Sequence, residues 1–149
     1  MKNIYEAATL QELTQRIDTL KPDSQRQWGK MDVAQMLAHC CAPIEVALGD
    51  KTVKTTLMGK LIGPLIKGVI TNEKPFKQSS PTDPSFIIKD PRNFEQEKGK
   101  LKGLLTRLTN GGPQGMENKR HPFFGKMTPQ EWSNSHYKHM DHHLRQFGV

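Results

Sequence analysis

The stretch Thr128-Pro129-Gln130-Glu131-Trp132-Ser133-Asn134-Ser135-His136-Tyr137-Lys138-His139-Met140-Asp141-His142-His143 decides the fold. Thr128, with Glu131 three residues on, forms a capping box, and Pro129 stands at the first helical position, where no N–H is needed. The pattern predicts a helix that runs to Gly148. At about 100° per residue, His136, His139 and His143 fall within roughly 60° of one another. Trp132, Met140 and Phe147 share their side, and His142 falls nearer the edge. Three imidazoles therefore lie on the face that apolar residues mark as inward.

Working outward, the same punctuation recurs. Thr9-Leu10-Gln11-Glu12 reads as a capping box with Thr9 as N-cap. Leu10, Leu13, Ile17 and Leu20 follow at helical spacing, and Lys21-Pro22-Asp23-Ser24 ends that helix. Asp32-Val33-Ala34-Gln35 reads as a second box, opening an apolar helix closed by Gly49. Asp90-Pro91 places an N-cap before a proline at the first helical position, and Asn110-Gly111-Gly112-Pro113 ends the stripe of Phe94, Leu101, Leu104, Leu105 and Leu108. Between them, Leu57 to Ile70 is apolar in pairs but interrupted by Gly59, Gly63, Pro64 and Gly68, which predicts short helical pieces. Asn72 to Pro84, with three prolines, predicts an extended connection. Four capped helices with one long crossover at residues 50–89 predict an all-α four-helix bundle, a single domain over 1–149.

The chain has 149 residues and a net charge of +7, from 22 Lys+Arg against 15 Asp+Glu. Adjacent Cys40 and Cys41 cannot make a disulfide framework, which favours a reducing compartment. No apolar run approaches the ~20 residues of a membrane span, and Met1 to Glu6 has no signal-peptide character. The expected location is the cytoplasm, with no membrane partner. The basic residues are spread along the chain, so they read first as a solvated surface. Nucleic acid is the lesser alternative, because no reading element accompanies the charge.

One histidine on a core face is usually a satisfied structural residue; three are harder to explain so, because each buried ring needs partners for two nitrogens. His139 and His143, at i and i+4, can bring two ring nitrogens to one point, as helical zinc motifs do. A third ligand must come from another helix. His39, in Gln35-Met36-Leu37-Ala38-His39-Cys40-Cys41, is the other histidine on a strongly apolar helix. The competing reading makes it a core histidine bonded to a backbone carbonyl. Pro43 removes the N–H that would reach the His39 carbonyl, which predicts a local kink. Cys40 and Cys41 rotate away from His39 and read as buried small hydrophobes. His121, in Arg120-His121-Pro122-Phe123-Phe124-Gly125, reads as a loop residue, either at a pocket mouth or solvated. Glu45 and Asp141 project away from the histidine face, and Asp32 and Gln35 lie on it a turn or two away, so no general base is apparent.

Three stretches resemble the DinB-like superfamily of metal-binding four-helix bundles, in a branch catalogued as a domain of unknown function. They are Thr9-Leu10-Gln11-Glu12-Leu13 through Trp28-Gly29-Lys30-Met31, then Ala34-Gln35-Met36-Leu37-Ala38-His39-Cys40, and His121-Pro122-Phe123-Phe124-Gly125 onward to Gly148. The resemblance implies an up-down-down-up course and one divalent cation held by His39, His139 and His143, with His136 as a neighbour or alternate ligand. Pro43 departs from the usual pattern. The metal would be Zn, Ni, Fe or Mn, since imidazoles accept all four. The implied activity is that of a metal-dependent thiol S-transferase or hydrolase acting on a small molecule, such as a low-molecular-weight thiol. The alternative is a non-catalytic metal-binding or dimerisation module, with residues 57–70 as a dimer surface or lid. A homodimer is the expected assembly.

Overall fold

The computed structural model describes residues 1–54 and 57–149, without the side chains of 57–60. The described residues are mostly helical: α1 (Ala7–Thr19), α2 (Val33–Leu48), α3 (Leu57–Thr71), α4 (Phe94–Gly111) and α5 (Pro129–Gln146). Short 3-10 turns cover Pro84–Phe86 and Pro113–Met116. Among the described residues strand is limited to two antiparallel two-residue segments, β1 (Arg120–His121) and β2 (Gly125–Lys126).

Two capping boxes form as the sequence predicts. Asp32 accepts from the Gln35 N–H at 2.8 Å while Gln35 Oε1 accepts from the Asp32 N–H at 3.0 Å. Thr128 Oγ1 accepts from the Glu131 N–H at 3.2 Å, and Glu131 accepts from the Thr128 N–H at 2.8 Å. Gly49 closes α2 in the left-handed region, at φ 90°. The helix passes through Pro43 without a break in its span.

Three boundaries differ from expectation. The first helix starts at Ala7 with Glu6 as N-cap, and Thr9 is a buried residue inside it. Tertiary ties fix this start: the Ile4 N–H donates to Ser133 Oγ at 3.0 Å, and Thr109 Oγ1 donates to the Ile4 carbonyl at 2.9 Å. The α4 N-cap is Asn93 rather than Asp90, with Asn93 Oδ1 accepting from the Gln96 N–H at 2.9 Å. The Lys89 carbonyl instead accepts from Gln35 Nε2 at 3.1 Å, which docks this approach onto the start of α2. The segment 57–71 is one helix with Pro64 inside it, not short pieces. Gly63 is a contact rather than a breaker, since a Cβ there would collide with the Phe123 carbonyl.

Helix α2 packs on α4 and α5, and α1 packs on the same two helices. Between them lies one core, which includes Leu13, Ile17, Met36, Leu37, Leu105 and Trp132. Helix α2 contributes buried residues on nearly every side, His39 among them. Helix α3 packs on α5 and β2, outside this arrangement.

Candidate metal centre

The His39, His139 and His143 rings come from α2 and α5; His143 meets the other two edge-on, and His39 and His139 are tilted at 54°. Their centroids stand 4.9, 4.7 and 4.7 Å apart. Each ring offers one nitrogen to a cluster in which all three lie within 4.8 Å of one another. His139 Nε2 and His39 Nε2 are 3.0 Å apart. Nitrogens around a tetrahedral ion with bonds of about 2.0–2.1 Å sit roughly 3.3 Å apart, so the His39–His139 pair is near ligand spacing and the cluster could close on a shared cation by ring rotation.

The surroundings set two tautomers. His39 Nδ1 lies 2.8 Å from the Phe86 carbonyl, which can only accept, so Nδ1 carries the proton and Nε2 keeps a lone pair. His143 Nδ1 lies 2.8 Å from Gln146 Oε1. Gln146 Nε2 donates to the Trp28 carbonyl at 2.7 Å, which turns Oε1 toward His143. Thus His143 also keeps its lone pair on Nε2. Partners of this kind orient metal-binding imidazoles and raise their basicity. Gly29, at φ 83°, makes room for this amide, because a Cβ there would collide with Gln146 Nε2.

Burial holds all three rings below the ordinary histidine range, and His143 is pushed down to about 3. For His139, the two neighbouring imidazoles add to the burial effect. The rings are therefore neutral at pH 7, the form that binds a cation.

The other residues singled out in the sequence lie as follows. His136 is buried one turn upstream, stacked on Trp132 at 5.7 Å and 13°, outside the cluster. His136 Nε2 and Trp132 Nε1 are buried without a hydrogen-bond partner. Burial lowers His136 to about 3. His121 accepts at Nδ1 from the Phe123 and Phe124 N–H groups, at 3.1 and 3.3 Å. It lines a cavity of about 830 Å³ with Phe123, Arg120, Lys54 and Pro64, and it sits in strand β1, paired with Gly125, rather than in a loop. His142 contacts the Trp28 and Phe76 rings at 5.6 and 5.8 Å.

Cys40 and Cys41 are free, buried and outside the cluster. Burial raises both thiols, Cys41 to about 12, which leaves them inert as nucleophiles. Among the described residues no carboxylate joins the three imidazoles. Glu45 pairs with Lys100 at 2.6 Å and Asp141 with Arg16 at 3.0 Å.

Sequence reasoning anticipated a backbone carbonyl beside His39 but not which one, and it missed Gln146. The Phe86 carbonyl is 47 residues from His39 and carries no side-chain signal. Gln146 was within reach, at i+3 from His143 on the same helix.

A family model described as "Protein of unknown function (DUF1569)" matches residues 3–148. The chain belongs to this family. No curated protein and no solved structure matches it. The family description names no activity, so any functional reading rests on the geometry above.

Proposed function

We propose that this member of the DUF1569 family is a divalent-cation-binding protein of DinB-like architecture. Helices α1, α2, α4 and α5 form an up-down-down-up four-helix bundle, one domain, with α3 in the crossover. His39, His139 and His143 are the protein ligands. One observation carries the reading: three neutral imidazoles from two helices converge, and two are turned by outer acceptors so that Nε2 faces the centre. A core histidine bonded to a carbonyl accounts for His39 alone; it does not account for the convergence.

Three protein ligands leave coordination positions open, as catalytic sites do and closed structural zinc sites do not. The favoured role is therefore an enzyme acting on a small molecule, by thiol transfer to an electrophile or by hydrolysis. A cation bound there would supply Lewis acidity, which lowers the pKa of a thiol or water that it contacts. The chain's own part is to hold the ring nitrogens: Phe86 fixes His39, and Gln146, itself anchored on Trp28, fixes His143.

The second reading, a non-catalytic metal-binding module, is favoured by the lack of a carboxylate beside the imidazoles among the described residues. Elemental analysis of purified protein beside His39→Ala and His143→Ala tests the site. The expected result is near one equivalent of Zn, Ni, Fe or Mn, lost in both variants, and no uptake by the parent protein on titration with these ions would overturn it. Turnover is then tested by following consumption of a small thiol with an alkylating electrophile. Loss of turnover on chelation, with helical circular dichroism preserved, establishes the enzyme. Unfolding on chelation, with no thiol consumed beforehand, establishes the module.

A further inference from the structure

Helix α3 is amphipathic with its faces reversed. At about 100° per residue, Leu61, Ile62, Leu65, Ile66 and Val69 fall within an arc of roughly 140°. That arc faces solvent: Leu65 is 82% exposed, Leu61 64% and Val69 60%. The opposite side meets the rest of the molecule through polar groups. Lys67 pairs with Glu131 at 2.8 Å. Asn134 Nδ2 donates to the Thr71 carbonyl at 2.9 Å. Lys138 Nζ donates to the Val69 carbonyl at 2.6 Å and to the Asn72 carbonyl at 3.2 Å, the end of the helix where carbonyls lack partners. A helix held only by hydrophobic burial would turn its apolar arc inward. These ties hold it the other way.

The charge around this helix indicates what covers the arc. Residues 51–77 contain six lysines and Glu73 alone as an acid, a net +5 of the chain's +7. Glu73 is itself paired with the N-terminal amine at 2.9 Å. Lys51, Lys54, Lys74 and Lys77, which precede and follow the helix in sequence, are exposed, and Lys54 also lines the cavity beside Pro64. A second copy laid on this face would bring two such cationic segments together. An exposed apolar arc in a segment with this excess of lysine fits an anionic lipid surface, where apolar side chains enter the headgroup boundary and lysines meet phosphates. We propose that α3 is a peripheral membrane-binding element that docks flat on anionic bilayers. This departs from the expectation of no membrane partner. That expectation rested on spanning segments, and no helix of the described residues is long and apolar enough to span. The proposal is independent of the metal site.

The test is co-sedimentation of the full chain with vesicles of pure phosphatidylcholine and of phosphatidylcholine with 30% phosphatidylglycerol. The expected result is binding to the anionic vesicles only, weakened by raising salt from about 0.05 to 0.5 M. Leu65→Glu should lower the partition coefficient by about tenfold or more, and Lys74→Glu/Lys77→Glu by a similar factor. All these positions are exposed, and circular dichroism with an unchanged thermal midpoint verifies the fold. Absence of binding to anionic vesicles overturns the proposal, as does equal binding to both vesicle types. So does a wild-type dimer in sedimentation velocity that Leu65→Glu converts to monomer while vesicle binding is unchanged.

Discussion

Helices α2 and α3 have much in common as sequences. Each is about four turns long, strongly apolar, and interrupted by an internal proline, Pro43 or Pro64. Their fates are opposite. Helix α2 is enclosed by α4 and α5 and gives the core Met36, Leu37, Cys40 and Ile44, with His39 among them. Helix α3 touches the molecule through Gly63, Lys67, Thr71 and its last carbonyls, and leaves Leu61 and Leu65 outside. Apolar content thus identifies a helix without assigning its direction. What assigns it here is the polar hardware on α5: Glu131, Asn134 and Lys138 lie at i, i+3 and i+7 and grip α3 from one side.

The largest contrast is energetic. Leu37→Ala should cost about 2–5 kcal/mol, because it opens a cavity in a packed core. Leu65→Ala should stay within about 0.5 kcal/mol. Chemical denaturation of both variants measures the difference, and similar losses would break the comparison. Next, Lys138→Met should weaken α3 locally by about 1.5–3 kcal/mol, the usual worth of hydrogen bonds from a charged donor. Hydrogen exchange should speed up across 61–71 and remain unchanged in α2. A uniform speeding of both helices would show that α3 is part of the same cooperative unit.

The site sharpens the contrast further. Gln146→Leu removes the acceptor at His143 Nδ1 but no ligand, and should weaken cation affinity by about 10–100-fold. Isothermal titration reads this, and an unchanged affinity would deny Gln146 its orienting role. A further contrast is acid sensitivity. His136 and His121 have folded pKa values of about 3 and 4, below the ordinary 6.5. The unfolded chain therefore binds more protons below pH 6.5. Stability is fully present above that pH and falls as pH drops toward 4, by about 1 kcal/mol per unit for each histidine. Urea midpoints measured from pH 7 to 4.5 should fall steeply, and His136→Phe should flatten the slope.

Local signals were legible and distant ones were not. The boxes at Asp32 and Thr128 need only four consecutive residues, so both were readable. Thr9 carries the same pattern but is overruled, because Ser133 and Thr109 anchor Ile4 and begin the helix a turn earlier. Asp90 is overruled by the docking of Lys89 and Asp90 carbonyls on Gln35. Gly63 and Pro64 suggested breaks, but tertiary contacts carry α3 through them. His139 and His143 were readable from periodicity, and His39 from its apolar helix. Their convergence joins residues 100 positions apart. A backbone carbonyl for His39 could be expected in kind, but not placed at Phe86, because backbone groups leave no trace in composition.

Cys40 follows His39 directly, and its thiol is sealed in the core, beside the Met36 sulfur at 3.7 Å. Reagents such as dithiobis-nitrobenzoate can reach it only when the surrounding helices part. The labelling rate of this native thiol is then a clock for the breathing of the segment that carries His39, with no probe to be engineered. A bound cation that clamps α2 to α5 should slow that clock in proportion to its saturation.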